Sequence, residues 1–223
     1  MDPVSPTQPP VTNPPAQPPA THSVPTTPAQ PPATPAAPTV EDAAASGGSG
    51  NAVLIGPALV GCFVAAAVGV YGRLHEPTGV AVNIAGFSSP QTVKVWLATV
   101  AALLALLQVF SALVMYGKIR MRNTDWTGPV HRWSGRAAFV VSIPVALHCL
   151  YALGFGDYNT RVLVHSLLGC FFYGAFATKM LLLTRRNIPG WALPLVGGVV
   201  FTGLAGLFVT SSLWFFTTFG FTF

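Results

Sequence analysis

Five apolar runs limit what this chain can fold into. They lie at about 52–71, 93–116, 133–153, 163–183 and 191–214, and each is close to the roughly 20 residues that a helix needs to cross a hydrocarbon core of about 30 Å. Within that layer no water is available to the backbone, so each run must satisfy its own N–H and C=O groups as a helix. The expected fold class is therefore all-α integral membrane, a bundle of five transmembrane helices over 51–223. Charged residues make up 8% of the chain and the mean hydropathy is +0.57. A soluble domain carries roughly a quarter charged residues, so that alternative is excluded.

Residues 1–50 differ sharply from the rest. They are a Pro, Thr, Ala and Gln tail with almost no large apolar side chain, too poor in buriable surface to offset the entropy of ordering. A disordered, cytoplasmic tail is expected there. Such Pro-rich tails adopt polyproline II and dock on aromatic grooves, which makes the tail a candidate for recruiting a protein partner. It has no basic stretch followed by an apolar one, so no cleavable signal peptide is expected and the first apolar run should stay as an anchor.

The formal charge of +5 does not point to nucleic acid, because the basic residues cluster beside the apolar runs. Lys118, Arg120, Arg122, Arg132 and Arg136 flank the second connection, and Lys179, Arg185 and Arg186 flank the fourth. Only Arg73, Lys94 and Arg161 remain for the other side. The positive-inside rule then places the chain in the cell membrane with its N-terminus inside and its C-terminus outside, in contact with membrane lipid. Trp96, Trp133, Trp191 and Trp214 fall near run ends, where interfacial anchors belong. The connection 72–92 is the longest between runs and carries His75-Glu76-Pro77. Asp125 and Pro129 read as a cap and a first-turn proline for the third helix, and Pro144 should kink that helix just before His148.

The chemistry concentrates in 130–183. His148 precedes the short connection 154–161 by about five residues and His165 follows it by about four, so on antiparallel helices lying side by side both sit one turn below the outer surface. Two neutral imidazoles at one depth can serve as the axial metal ligands of a haem b. His131 and His165 each precede a glycine by four residues, Gly135 and Gly169, and positions i and i+4 share a helix face, leaving bare backbone for a flat ligand. Phe171, Phe172, Tyr173 and Phe176 would wall it, and Arg161 would meet a propionate. The bland alternative is that these histidines only hydrogen-bond between helices.

These histidine and glycine patterns resemble the membrane-embedded b-type cytochromes of the cytochrome b561 and ferric-reductase kind. The chain as a whole, over about 52–214, resembles a family of multi-span actinobacterial membrane proteins, a domain of unknown function. The cytochrome resemblance implies haem b and transmembrane electron transfer, with His148 and His165 as outer ligands. One departure counts against a second haem. Cytochromes with two stacked haems space their histidines by about 14 residues so that both share a face, whereas His131 and His148 are 17 apart. His131 lacks an inner histidine partner, leaving only Met115 or Met180. It competes as part of a site for an anionic lipid head group or a quinone, beside Arg132 and Arg136. His75 is either an alternative outer ligand or simply solvated.

The expected function is a small electron-transfer subunit binding one haem b, with a quinone or a redox protein as partner. Two alternatives from other classes stand beside it: a haem-free structural or assembly subunit, and a small transporter. The acidic residues beyond the tail, Glu76, Asp125 and Asp157, all fall in loops, so no intramembrane carboxylate supports a proton pump. Cys62, Cys149 and Cys170 form no C-x-x-C pair and read as small core residues. Glycines 61, 69, 197, 198, 203 and 206 read as packing faces between helices.

Overall fold

The computed structural model describes residues 40–122 and 124–223. The disordered tail expected over residues 1–50 falls, for 1–39, outside the described residues. Among those described, every regular element is helical: α1 (Val40–Leu74), α2 (Pro90–Met115), α3 (Thr127–Leu147), α4 (Thr160–Leu182), α5 (Ala192–Phe208) and α6 (Trp214–Phe219). A π-helical turn, His148–Leu153, prolongs α3, and another, Val209–Leu213, joins α5 to α6 without a break. The described residues therefore include five helices long and apolar enough to cross a membrane, Ala52–Leu74, Pro90–Met115, Thr127–Leu153, Thr160–Leu182 and Ala192–Phe219.

Helix ends depart from the sequence reading where a local rule was outweighed. α1 starts at Val40, ahead of the apolar run, because Ala43, Ala44 and Ala45 favour helix and the last proline before the run is Pro38. α3 starts at Thr127, with Trp126 at the cap position and no side-chain cap, so Asp125 does not cap it. The caps of α2 and α4 are conventional. Ser89 and Thr92 form a reciprocal capping box, and Asn159 accepts from the Val162 N–H at 2.9 Å.

Packing also corrects one expectation. α2 packs along α3, α4 lies between α1 and α5, and α5 reaches α2, so α3 and α4 are not close neighbours along their length. They meet through large side chains. The rings of Phe139 and Phe176 stack with centroids 4.4 Å apart, and the Tyr173 hydroxyl lies 3.1 Å from the Ser142 hydroxyl. α1 and α4 approach most closely: a Cβ atom on Gly174 would sit 2.5 Å from the Gly61 carbonyl oxygen, and one on Gly61 would sit 2.6 Å from that of Gly174. Gly69, Gly203 and Gly206 likewise face neighbouring side chains, whereas Gly197 and Gly198 face open space and are not packing glycines.

Connectivity places the 75–89 and 154–159 loops at one end of the bundle and the basic connections at the other. At the first end, the carbonyl groups released by the π-helical turn after α3 are taken up by the long loop. Thr78 N–H reaches Tyr151 O at 3.1 Å, and Gly79 N–H reaches Ala152 O at 3.2 Å. His75 is part of this clamp. Its ring lies between those of Tyr71 and Tyr151, 5.1 and 4.8 Å away, and its Nε2 meets Tyr151 O at 3.3 Å.

Candidate functional site

The space that α3 and α4 leave between them is a cavity of about 540 Å³ at the end carrying the 154–159 loop. Cofactor and ligand sites span about 300–1,000 Å³, so the cavity is large enough for one. α3 and its π-helical turn contribute Ser142, Val145, Ala146, Cys149, Leu150 and Leu153, six positions that recur every three or four residues on one helix face. α4 contributes Arg161, His165, Gly169 and Tyr173, α2 contributes Gln91, Lys94, Ala98 and Ala101, and Thr210 and Trp214 come from the segment after α5. The Tyr173 and Ser142 pair closes the floor.

His165 is the best-defined chemical group on the wall. Its Nδ1 lies 2.9 Å from the Thr210 hydroxyl, which in turn donates to Gly206 O at 2.7 Å. With its own proton directed to a carbonyl, that hydroxyl is placed to accept from Nδ1, and Nε2 is the ring nitrogen that Thr210 does not engage. Four residues on, Gly169 also lines the cavity, and a Cβ there would meet nothing within 4 Å. The bare patch expected beside His165 exists.

His148 occupies a different position. It is half-buried, begins the π-helical turn and precedes the wall residue Cys149, about 100° round the helix from it. It does not line the cavity. Lys94 is within electrostatic reach of both His148 and His165, so all three belong to one region of the bundle.

The second histidine and glycine pattern is used otherwise. Gln108 of α2 donates to the His131 carbonyl and to the Ser134 hydroxyl, the latter at 2.7 Å, and its side chain comes within 3.0 Å of where a Gly135 Cβ would be. The Ser111 hydroxyl donates to Leu107 O at 2.8 Å and sits 3.0 Å from His131 Nδ1. Polar groups of α2 thus fill the patch beside His131 and tie α3 to α2. Arg132 and Arg136 are exposed, the latter over the Trp133 ring at 5.1 Å, and Met115 and Met180 are 45% and 46% exposed.

Arg161 is fixed on two sides. Its Nη1 donates to Thr210 O at 2.7 Å and its guanidinium carbon stands 3.6 Å over the Trp214 ring. Trp214, close to the end of the fifth span at Phe219, is thereby a cavity residue as well. The residue that sequence reasoning missed is Lys94, which is 8% exposed and lines the cavity. A signal was present: Gln91, Lys94, Ala98 and Ala101 recur at helical spacing and mark one polar, small-residue face of α2.

A family of unknown function, DUF6529, matches residues 54–223, more than half of the chain. The chain belongs to DUF6529. No curated protein and no solved structure matches it. The DUF6529 match runs from the first membrane helix through the cavity to Phe223. For this DUF6529 protein, none of these comparisons supports the likeness to cytochrome b561 and ferric reductases. Among the described residues, no three His, Cys, Asp or Glu side chains gather as a metal site.

Proposed function

We propose that the chain is a small electron-transfer subunit of the membrane that would hold one haem b in this cavity through His165 and His148. The observation that carries the reading is the His165 imidazole, set on the wall of a cofactor-sized apolar cavity with Nδ1 beside the Thr210 hydroxyl and Nε2 not engaged by it. Ligating histidines are held in this way, their second nitrogen fixed by a hydrogen bond. The open space at Gly169 accommodates a flat macrocycle beside His165, and Arg161 and Lys94 supply charge for its propionates. Bringing His148 to the same wall requires a local turn of the helix. The π-helical segment that begins at His148 suits this, because such bulges interrupt the regular hydrogen-bond ladder and recur at functional sites. Bound there, haem b would take up and pass on single electrons, and the protein's part is to ligate it, orient it and keep water away.

A second reading, a haem-free subunit whose cavity takes another amphiphile, is favoured by one observation: His148 does not line the cavity. A reduced-minus-oxidised spectrum of protein purified from haem-replete cells separates the two. The haem reading expects a low-spin b-type spectrum that is lost in both His165→Ala and His148→Ala. A wild-type protein without a Soret band overturns it.

A further inference from the structure

The cavity is positively charged and has nothing of its own to balance that charge. Lys94 is 8% exposed and lines it, yet among the described residues no hydrogen bond or ion pair holds its ammonium group. Arg161 lines it too, fixed by Thr210 O and Trp214 so that its remaining N–H groups are already positioned. None of the lining residues is Asp or Glu. The nearby loop acid, Asp157, is engaged with Arg73 at 2.8 Å. The positive ends of α2 and α4 lie at this same end of the bundle and add to the field.

Among the described residues no fully buried side-chain nitrogen lacks a partner, so the Lys94 ammonium group reaches the open space of the cavity, and within a membrane ionisable groups persist when they pair or bind something. The rest of the wall is apolar: Ala98, Ala101, Val145, Leu204, Leu207 and Phe208 among others. An anionic head at one end and an apolar body filling the remainder is the shape of an amphiphile.

We propose that Lys94 and Arg161 form a carboxylate site at the head of this cavity, so that its natural ligand is an amphiphile bearing a free carboxylate. The two cations line the one cavity from two helices, and guanidinium is well suited to the planar geometry of a carboxylate. The inference shares its cavity with the haem reading but needs no iron. The carboxylate comes either from a haem propionate or from a membrane fatty acid, and the chemistry that recognises them is the same.

The test uses the full chain in a non-ionic detergent and a fluorescent polyene fatty acid with its methyl ester. The free acid is expected to bind roughly tenfold or more tightly than the ester, the scale of one charge-assisted hydrogen bond. Lys94→Gln and Lys94→Met should abolish that preference, while Lys118→Gln, at the other end of the bundle, should retain it. Haem and haem dimethyl ester form the second arm. A preference for haem over its ester, with displacement of the fatty acid on haem loading, assigns the carboxylate to haem. Fatty-acid binding with the same preference and no uptake of either porphyrin assigns it to lipid, and then the haem reading fails while this one stands. Equal affinity for acid and ester in both ligand pairs overturns the proposal without any variant, as does a preference that survives both Lys94 substitutions.

Discussion

Thr210 ties His165 to the fifth span: its hydroxyl lies 2.9 Å from Nδ1 and donates to Gly206 O at 2.7 Å. Thr210 follows Val209 in the π-helical turn after α5, so the fifth span sets the direction of a side chain on the fourth. Cavity and imidazole are therefore positioned by the packing of α4 on α5 and not by α4 alone.

Removing that hydroxyl gives the first prediction. Thr210→Val keeps the shape and loses the hydroxyl, freeing the ring to rotate and to change tautomer. On the haem reading, haem retention should then fall by roughly ten- to a hundredfold, the usual effect of losing a partner behind a ligating histidine. Thr210→Ser should restore it. Haem content per protein and the reduction midpoint measure both variants, and a Thr210→Val protein unchanged in both would show that the contact orients nothing.

Glycines at equal-looking positions should respond in opposite directions. Gly61→Ala and Gly174→Ala each force a methyl group into the partner helix's backbone, overpacking that costs about 1–3 kcal/mol and outweighs the better helix propensity of alanine. Gly169→Ala points into open space and should be neutral or stabilising by up to about 1 kcal/mol. Gly169→Leu should fold and yet exclude a cavity ligand. Thermal unfolding in detergent gives the order, and a destabilised Gly169→Ala would contradict it.

At the other end, His131 acts between helices. His131→Ala removes the contact with Ser111 Oγ, and intramembrane hydrogen bonds of this sort contribute about 0.6 kcal/mol on average. A small loss of stability is expected, with the haem content and spectrum of the cavity unchanged. Loss of half the haem would instead reveal a second site at His131.

The spans were legible because length and hydropathy alone decide whether a segment can cross a membrane. Their arrangement was not. A short connection between α3 and α4 suggested adjacency, but α4 follows the close glycine contact with α1, leaving a gap that only large side chains bridge. His165, Gly169 and Arg161 were readable as site residues, since an ionisable or bare position inside an apolar run stands out. Two similar histidine and glycine patterns could not be told apart by spacing. What separates them is Gln108, a residue of another helix, which fills the patch at Gly135 and has no counterpart at Gly169. Lys94 was counted only for orientation, because a lysine near a helix end ordinarily reaches water.

That counting bears on the last prediction. Eight basic residues, Lys118, Arg120, Arg122, Arg132, Arg136, Lys179, Arg185 and Arg186, lie in or near the connections at one end. The three at the other end are Lys94 and Arg161, which line the cavity, and Arg73, which is paired with Asp157. The tally of eight to three is the bias that retains positive loops in the cytoplasm. A reporter inserted near Asn187, in the turn between α4 and α5, should behave as cytoplasmic, and one fused after Phe223 as extracytoplasmic. In this orientation the cavity and the proposed carboxylate site would lie near the outer face, so a membrane-impermeant anionic probe should compete for Lys94 from outside intact cells and not from inside inverted vesicles. A cytoplasmic signal from the Phe223 fusion would reverse the orientation, and the cavity would then open toward the cell interior.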